Sequence, residues 1–211
     1  PDYLFLHRWR KDEFISAYRE EVRNMLGDEP LNDESFTHIV NKRHFDRLMG
    51  LIAGSTAVLG GKGDEETLRI EPTLLDDVTP ESPCMKEEIF GPILPILTWE
   101  KWEEVEQFVL SRPRPLASYL FTGSAANEER FINHLSFGGG CVNDTIIHLA
   151  VHGLPFGGVG DSGMGAYHGK AGFDTFTHYK SVLSKATWLD LPMRYHPYTK
   201  FAESLLRFFL R

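Results

Sequence analysis

Basic residues are in short supply: 22 Lys and Arg against 30 Asp and Glu leave a formal net charge of -8 over 211 residues. The phosphate-driven part of nucleic-acid binding needs a basic face, and no basic stripe occurs along the chain, so a nucleic-acid partner is not expected. Cysteine is scarcer still. The two present, Cys84 and Cys141, lack the spacing of a metal site or a disulfide framework, and a reducing, cytoplasmic setting is the expectation. No charged leader, apolar signal core or small-residue cleavage site opens the chain. Instead Tyr3-Leu4-Phe5-Leu6 is apolar from nearly the first residue, as a buried strand would be. The sequence is therefore expected to continue something longer.

What remains is ordinary. An apolar fraction of 42% and a charged fraction of 25% are those of a soluble globular protein long enough to bury a substantial core. Helical periodicity covers Lys11 to Leu26, where Phe14, Ile15, Tyr18, Val22 and Leu26 recur at steps of three and four. Asp12 stands where an N-cap belongs and Gly27 where a helix stops. A second helix is predicted over His44 to Ala53, ending at Gly54. Further helices are predicted over Trp102 to Leu110 and Ala125 to Leu135. The stretches "TAVLGG", "RIEPTLLDDV", "ILPILTWE", "ASYLFTG" and "GGGCVND" read as strands, with Pro95 suggesting an edge or bulged position. Alternation of this kind predicts an α/β fold with a mainly parallel sheet and flanking helices. From Val151 to Gly169 the pattern gives way to a long glycine-rich loop, and loops of that length are usually functional or disordered.

Three constellations invite chemistry and mostly fail their context. Gly158 to Gly163 satisfies G-x-G-x-x-G, yet that fingerprint has meaning only between a hydrophobic strand and a helix start. Here "HGLPFG" precedes it and "MGAYHGKAG" follows, so a turn that lets backbones pack closely is the better reading. His148 and His152 stand four apart, but position 149 is Leu and no third ligand is near, so no metal is expected. Cys141, behind three glycines, reads as a small structural side chain, as does Cys84. Glu87 and Glu88 raise a different question, because a pair of carboxylates runs directly into Ile-Phe-Gly-Pro and an apolar strand. A solvated turn would do this, and so would a binding site.

The neighbours of that pair tip the balance. "ESPCMKEEIFGPILPI" (81–96) resembles the E-E-I-F-G-P signature of the aldehyde dehydrogenase superfamily. "RHFDRLMGLIAG", "IEPTLLDDVTPESP" and "NDTIIHLAVHGLPFGGVGDSGMGAYHGKAGFDTFTHYKS" are similar, in the right order, to segments of its class-3 branch. The resemblance runs from Pro1 to about Ser184.

It implies NAD or NADP as cofactor and oxidation of a small-molecule aldehyde to a carboxylic acid. In that family a cysteine thiolate attacks the carbonyl, hydride passes to the nicotinamide, and a glutamate-activated water hydrolyses the thioester. By position, Glu88 would hold the hydroxyls of the nicotinamide ribose and Phe90 would pack beside the nicotinamide. A carboxylate suits a vicinal diol and an aromatic face suits a flat heterocycle. His44 and Arg47 fall on a helix that approaches the cofactor in relatives, although a solvated helix face explains Arg47 nearly as well. Asn143, Phe156 and His168 match positions lining or supporting the substrate funnel. The nucleophilic cysteine, the general base and the Rossmann domain of relatives would all lie upstream of Pro1. No catalytic residue is thus expected in this chain, and alone it is expected to be inactive.

The organisation expected is a portion of the catalytic domain over 1–190 and a tail over 191–211. In the tail, "YTKFAESLLRFFLR" puts Phe201, Leu205 and Phe208 on one helical face and Lys200, Glu203, Arg207 and Arg211 on another. That helix is far short of the ~20 apolar residues that span a bilayer, so interfacial membrane contact is the weaker expectation and docking on protein the stronger. A homodimer is expected of the full-length protein. Two other readings stay open: a superfamily cousin acting on acyl phosphates or acyl-CoA, and a non-catalytic binding or dimerisation module.

Overall fold

The computed structural model of the chain describes residues 1–209, which divide into two compact units, Pro1–Thr175 and Phe176 onward. The first unit opens with β1 (Leu4–His7) and α1 (Lys11–Leu26), followed by α2 (Lys42–Ala53) and β2 (Thr56–Leu59). A small antiparallel pair, β3 (Gly63–Asp64) and β4 (Arg69–Ile70), precedes β5 (Thr73–Asp76) and β6 (Ile93–Trp99). Then come α3 (Trp102–Leu110), β7 (Ala117–Leu120), α4 (Ala125–His134), β8 (Gly139–Val142) and α5 (Gly169–Thr175). The main sheet runs β1-β6-β5-β2, with β1 and β5 both parallel to β6 and β2 antiparallel at one edge. A second parallel pair joins β7 to β8. The architecture is the predicted mixed α/β arrangement with a mainly parallel sheet and flanking helices.

Pro95 does not sit on an edge strand. β6 is interior to the sheet, which at first sight a proline should forbid. The register explains the tolerance. β5 pairs with residues 93–95 and β1 with residues 96–99, so the ladder with β1 begins one residue beyond the missing N–H. The N-cap of α1 also differs from expectation. Asp12 lies inside the first turn, where its charge faces the positive end of the helix dipole, and Arg10 occupies the cap without a side-chain bond. Gly27 does end the helix, with φ at +75°.

The core lies under α2. Asn41 caps that helix by accepting from the His44 N–H at 3.0 Å, and Phe45, Leu48, Leu51 and Ile52 are buried on its inner face. They pack with Ile70, Leu75, Cys84, Ile89 and Ile93 into one cluster. Lys11 ties the start of α1 to the end of β5 through an ion pair with Asp76 at 2.5 Å.

A polar knot joins α3 to α4. Arg130 donates through Nε to Glu106 Oε1 at 2.7 Å and through Nη2 to Oε2 at 2.7 Å, and it also meets Glu103 at 2.8 Å. Trp102 Nε1 donates to Glu106 at 2.9 Å, and His134 Nδ1 lies 3.0 Å from the same carboxylate. The Arg130 guanidinium above all, with His134 and Trp102, pulls the Glu106 carboxyl down to about 2. A carboxylate depressed in the fold contributes stability above its unfolded value and loses it as pH falls toward the folded one. Wild-type protein is therefore expected to exceed Glu106→Gln by on the order of 2 kcal/mol at pH 6. The gap should close between about pH 4.5 and pH 2, as read by parallel melts; a gap constant with pH would rule the knot out as its source.

The second unit carries α6 (Lys200–Phe209), capped by Thr199 Oγ1, which accepts from Ala202 N at 3.2 Å. Ala202 is its buried residue, while Phe201 and Phe208, expected to share an apolar face, are exposed. Arg207 pairs with Glu203 one turn earlier on the polar side. Arg211, expected on that side, lies outside the described residues. No described helix is long and apolar enough to cross a membrane.

Candidate functional site

The Glu87-Glu88 stretch is a clamped loop whose two carboxylates part company. Ile89 between them and the following Phe90 is 1% exposed and belongs to the core cluster. Its peptide groups are held on both sides by side chains. Asp2 accepts from the Ile89 N–H at 2.8 Å, and Arg47 Nη2 donates to the Ile89 carbonyl at 2.5 Å. Arg47 Nη1 also takes Glu87, at 2.9 Å. With Ile89 driven inward, the residues either side are forced outward. Glu88 is exposed and makes no hydrogen bond or ion pair among the described residues. Phe90 is 74% exposed, with φ at +49°. A phenylalanine in the left-handed region costs free energy and persists only where its surroundings overdetermine it.

Gly91 completes the loop. A Cβ there would stand 2.6 Å from Leu48 Cδ1, so a larger residue would have to displace the buried Leu48 side chain for the chain to turn back onto α2 at this point. Arg47 and Leu48, neighbours on that helix, thus serve the loop from opposite chemistries, one by hydrogen bonds and the other by contact. His44 lies one turn earlier, half-buried, with its backbone engaged by Asn41. The guanidinium of Arg47 is committed to the loop itself.

The other predicted residues gather around β8. Asn143 follows that strand with φ at +59°; its N–H donates to Leu120 O and its side-chain Oδ1 accepts from Thr122 N, both at 2.7 Å. It therefore fastens the end of β8 to the end of β7. The glycine-rich loop is zipped by reciprocal backbone bonds of 2.9 Å between Phe156 and Tyr167. Phe156 lies with its ring 6.3 Å from that of His168, nearly parallel, and 6.1 Å from His148. His168 has φ at +85° and a buried Nδ1 without a partner among the described residues. Six non-glycine residues in the described chain have positive φ, and Phe90, Asn143 and His168 are three of them. Strain of that kind concentrates at ligand-handling loops.

The G-x-G-x-x-G run folds as a turn, not as the entrance to a helix. Ser162 closes a short 3-10 segment over Gly160–Ser162 by bonding both the N–H and the carbonyl of Val159. No group of three or more His, Cys, Asp or Glu among the described residues could hold a metal ion. Two features escaped sequence reading. Asp2 reaches a residue 87 positions away, which no local pattern signals. Cys141, expected to be an inert small side chain, has Sγ 3.4 Å from His148 Nδ1, so an imidazole does stand beside it. Cys84 is buried as expected, and burial pushes its thiol up.

The carboxylate and aromatic ring displayed by the loop fit a ribose diol and a flat heterocycle. The family model described as "Aldehyde dehydrogenase family" matches residues 1–182. "Aldehyde dehydrogenase family 3 member H1" of Arabidopsis thaliana is 46% identical over 211 residues, 98% of this chain and 44% of that protein. "Aldehyde dehydrogenase, dimeric NADP-preferring" of Bos taurus is 42% identical over 183 residues, 87% of this chain and 77% of that one. The structure of the substrate-bound state of Staphylococcus aureus AldH superposes with a TM-score of 0.91 at 46% identity, covering all of this chain and 46% of the other. The chain thus spans less than half the length of the Arabidopsis and Staphylococcus proteins. Members of this family use NAD or NADP. By a match over most of its length, this chain belongs to the aldehyde dehydrogenase family, among relatives of family 3.

Proposed function

We propose that this chain is the later portion of the catalytic domain, over 1–190 with a tail beyond, of an NAD(P)-dependent aldehyde dehydrogenase that makes carboxylic acids through a cysteine thioester. One observation carries the reading: Glu88 and Phe90 stand outward and unengaged on a loop whose every other contact is fixed. Glu88 would accept hydrogen bonds from the nicotinamide ribose hydroxyls and Phe90 would pack beside the nicotinamide, with Arg47 and His44 on α2 supporting the loop. The bound nicotinamide supplies the hydride acceptor. Asn143, Phe156 and His168 shape the aldehyde side, Phe156 giving it an apolar wall. The nucleophile lies in sequence upstream of Pro1, so the 211-residue chain does not turn over alone. Its free cysteines suit the cytoplasm, the whole enzyme is a homodimer, and α6 docks on protein rather than on a membrane.

The test compares the full-length gene product, its Glu88→Gln variant and the 211-residue chain, following nicotinamide reduction with an aldehyde panel. A hydrogen bond to a charged acceptor is worth about 1.5–3 kcal/mol, so Glu88→Gln should raise the KM for NAD(P) about 10- to 100-fold. The short chain should show no turnover. Unchanged cofactor KM in Glu88→Gln would remove the assigned role, and turnover by the short chain would remove the claim that it lacks a nucleophile.

A further inference from the structure

Cys141 and His148 form a thiol–imidazole pair that the proposed chemistry does not use. Both come from the β7–β8 region: Cys141 is in register with Tyr119 across the parallel pair, and the Tyr119 ring lies 5.9 Å from that of His148. The sulfur is 3.4 Å from His148 Nδ1, and the Cys141 side chain is half-buried, so the contact is neither sealed nor solvated away. His148 itself is only 8% exposed. Its place is made by the glycine run. A Cβ on Gly139 would come 3.0 Å from the ring, so glycine two residues before Cys141 leaves the imidazole room beside the sulfur.

The second ring nitrogen shows that the site is incomplete. His148 Nε2 is buried and has no partner among the described residues. Whether Nδ1 accepts the thiol proton or donates to the sulfur, Nε2 is left wanting either an acceptor or a donor. A buried polar group so placed is unfavourable until something meets it. Phe156, 6.1 Å away, links this pair to the aromatic cluster assigned to the aldehyde.

We propose that Cys141 is a second reactive thiol of this protein, a site of covalent addition by α,β-unsaturated aldehydes, with His148 as the base that enables it. The choice of electrophile rests on the aldehyde reading above; the reactivity of the thiol does not. The thiol gives its proton to His148 Nδ1, and the sulfur lone pair forms a C–S bond at the β-carbon of the enal. The carbon–carbon π pair moves to the enolate, whose α-carbon takes a proton back from the imidazolium. The product is a saturated thioether aldehyde, and no oxidant or reductant is consumed. A thiol becomes nucleophilic when its proton is removed, and His148 Nδ1, 3.4 Å from the sulfur, is placed to take it.

The experiment labels the full-length gene product with acrolein, with propanal as saturated control and N-ethylmaleimide as a general thiol reagent, all without nicotinamide. Peptide mass spectrometry reads Cys141 and Cys84 separately. Cys84 is 1% exposed and serves as an internal clock for unfolding. Acrolein is expected to modify Cys141 at least about tenfold faster than Cys84, as thiolate-controlled reactivity requires, and propanal should leave no stable adduct. His148→Gln and His148→Phe should each slow Cys141 about tenfold while Cys84 stays silent. Equal rates at the two cysteines, or an unchanged Cys141 rate in both folded variants, would overturn the pair as a reactive site. Labelling by maleimide but not acrolein would overturn the enal assignment alone. No turnover enters the measurement, so its failure is separate from any failure of the dehydrogenase reading.

Discussion

Arg47→Met is expected to weaken NAD(P) binding in the full-length enzyme about tenfold or more and to cost about 2 kcal/mol of stability. Methionine keeps much of the aliphatic stem but removes both donors. Glu87 is half in water and loses little. The Ile89 carbonyl is different, because its residue is 1% exposed and its acceptor would be orphaned in the core. Asp2→Ala should act on the same residue from the other side, orphaning the Ile89 N–H. Since both side chains fix the backbone of one residue, the double variant should fall short of the sum of the singles. Thermal melts with and without cofactor, together with cofactor titrations, measure both quantities. Additive losses, or a stability loss with cofactor affinity intact, would reduce the clamp to a structural tie unconnected with Glu88 and Phe90.

Leu48→Ala is expected to be the most damaging single truncation, at about 3–5 kcal/mol. Leu48 is fully buried at the centre of the cluster that joins α2 to β5 and β6, and its methyls fill the space left by the absent side chain of Gly91. The cavity would open directly beneath the loop. Hydrogen exchange should therefore rise first at the amides of residues 89–93, and urea melts should give the global loss. A cost below about 1 kcal/mol would mean that the loop collapses readily into the space, which would contradict the rigidity assigned to it.

Helical segments were legible because burial on a helix follows a period that the sequence displays. In α1 the periodic apolar residues, Phe14, Ile15, Tyr18, Val22 and Leu26, are half-buried, and the only other half-buried residue of the helix is Lys11 at its start. The bounds of α3 match the reading residue for residue. Pro95 misled because an edge rule treats a strand as having one pair of neighbours throughout, whereas β6 exchanges neighbours at that residue. The E-E-I-F-G-P motif was visible as a motif, but the partition between Glu87 and Glu88 was not. It depends on Arg47 and Asp2, separated from the loop by 40 and 87 positions. The imidazole beside Cys141 was not legible because a partner seven residues away, beyond a turn, leaves no periodic trace.

The order of the main sheet bears on how the chain comes to be folded at all. β1 has its partner 92 residues later, with Leu4 aligned to Ile96, and no nearer strand flanks it in the sheet. During synthesis at about 5–20 residues per second, β1 waits roughly 5–20 seconds for β6 to emerge. Pairing of such long reach is slow even afterwards. For that interval the side of Leu4, Phe5 and Leu6 that meets β6 is unpaired, the sort of edge that holding chaperones grasp. The tie between Asp2 and Ile89 likewise waits for the loop to be made, and the loop that displays Glu88 and Phe90 is finished only once nearly half of these residues have left the ribosome.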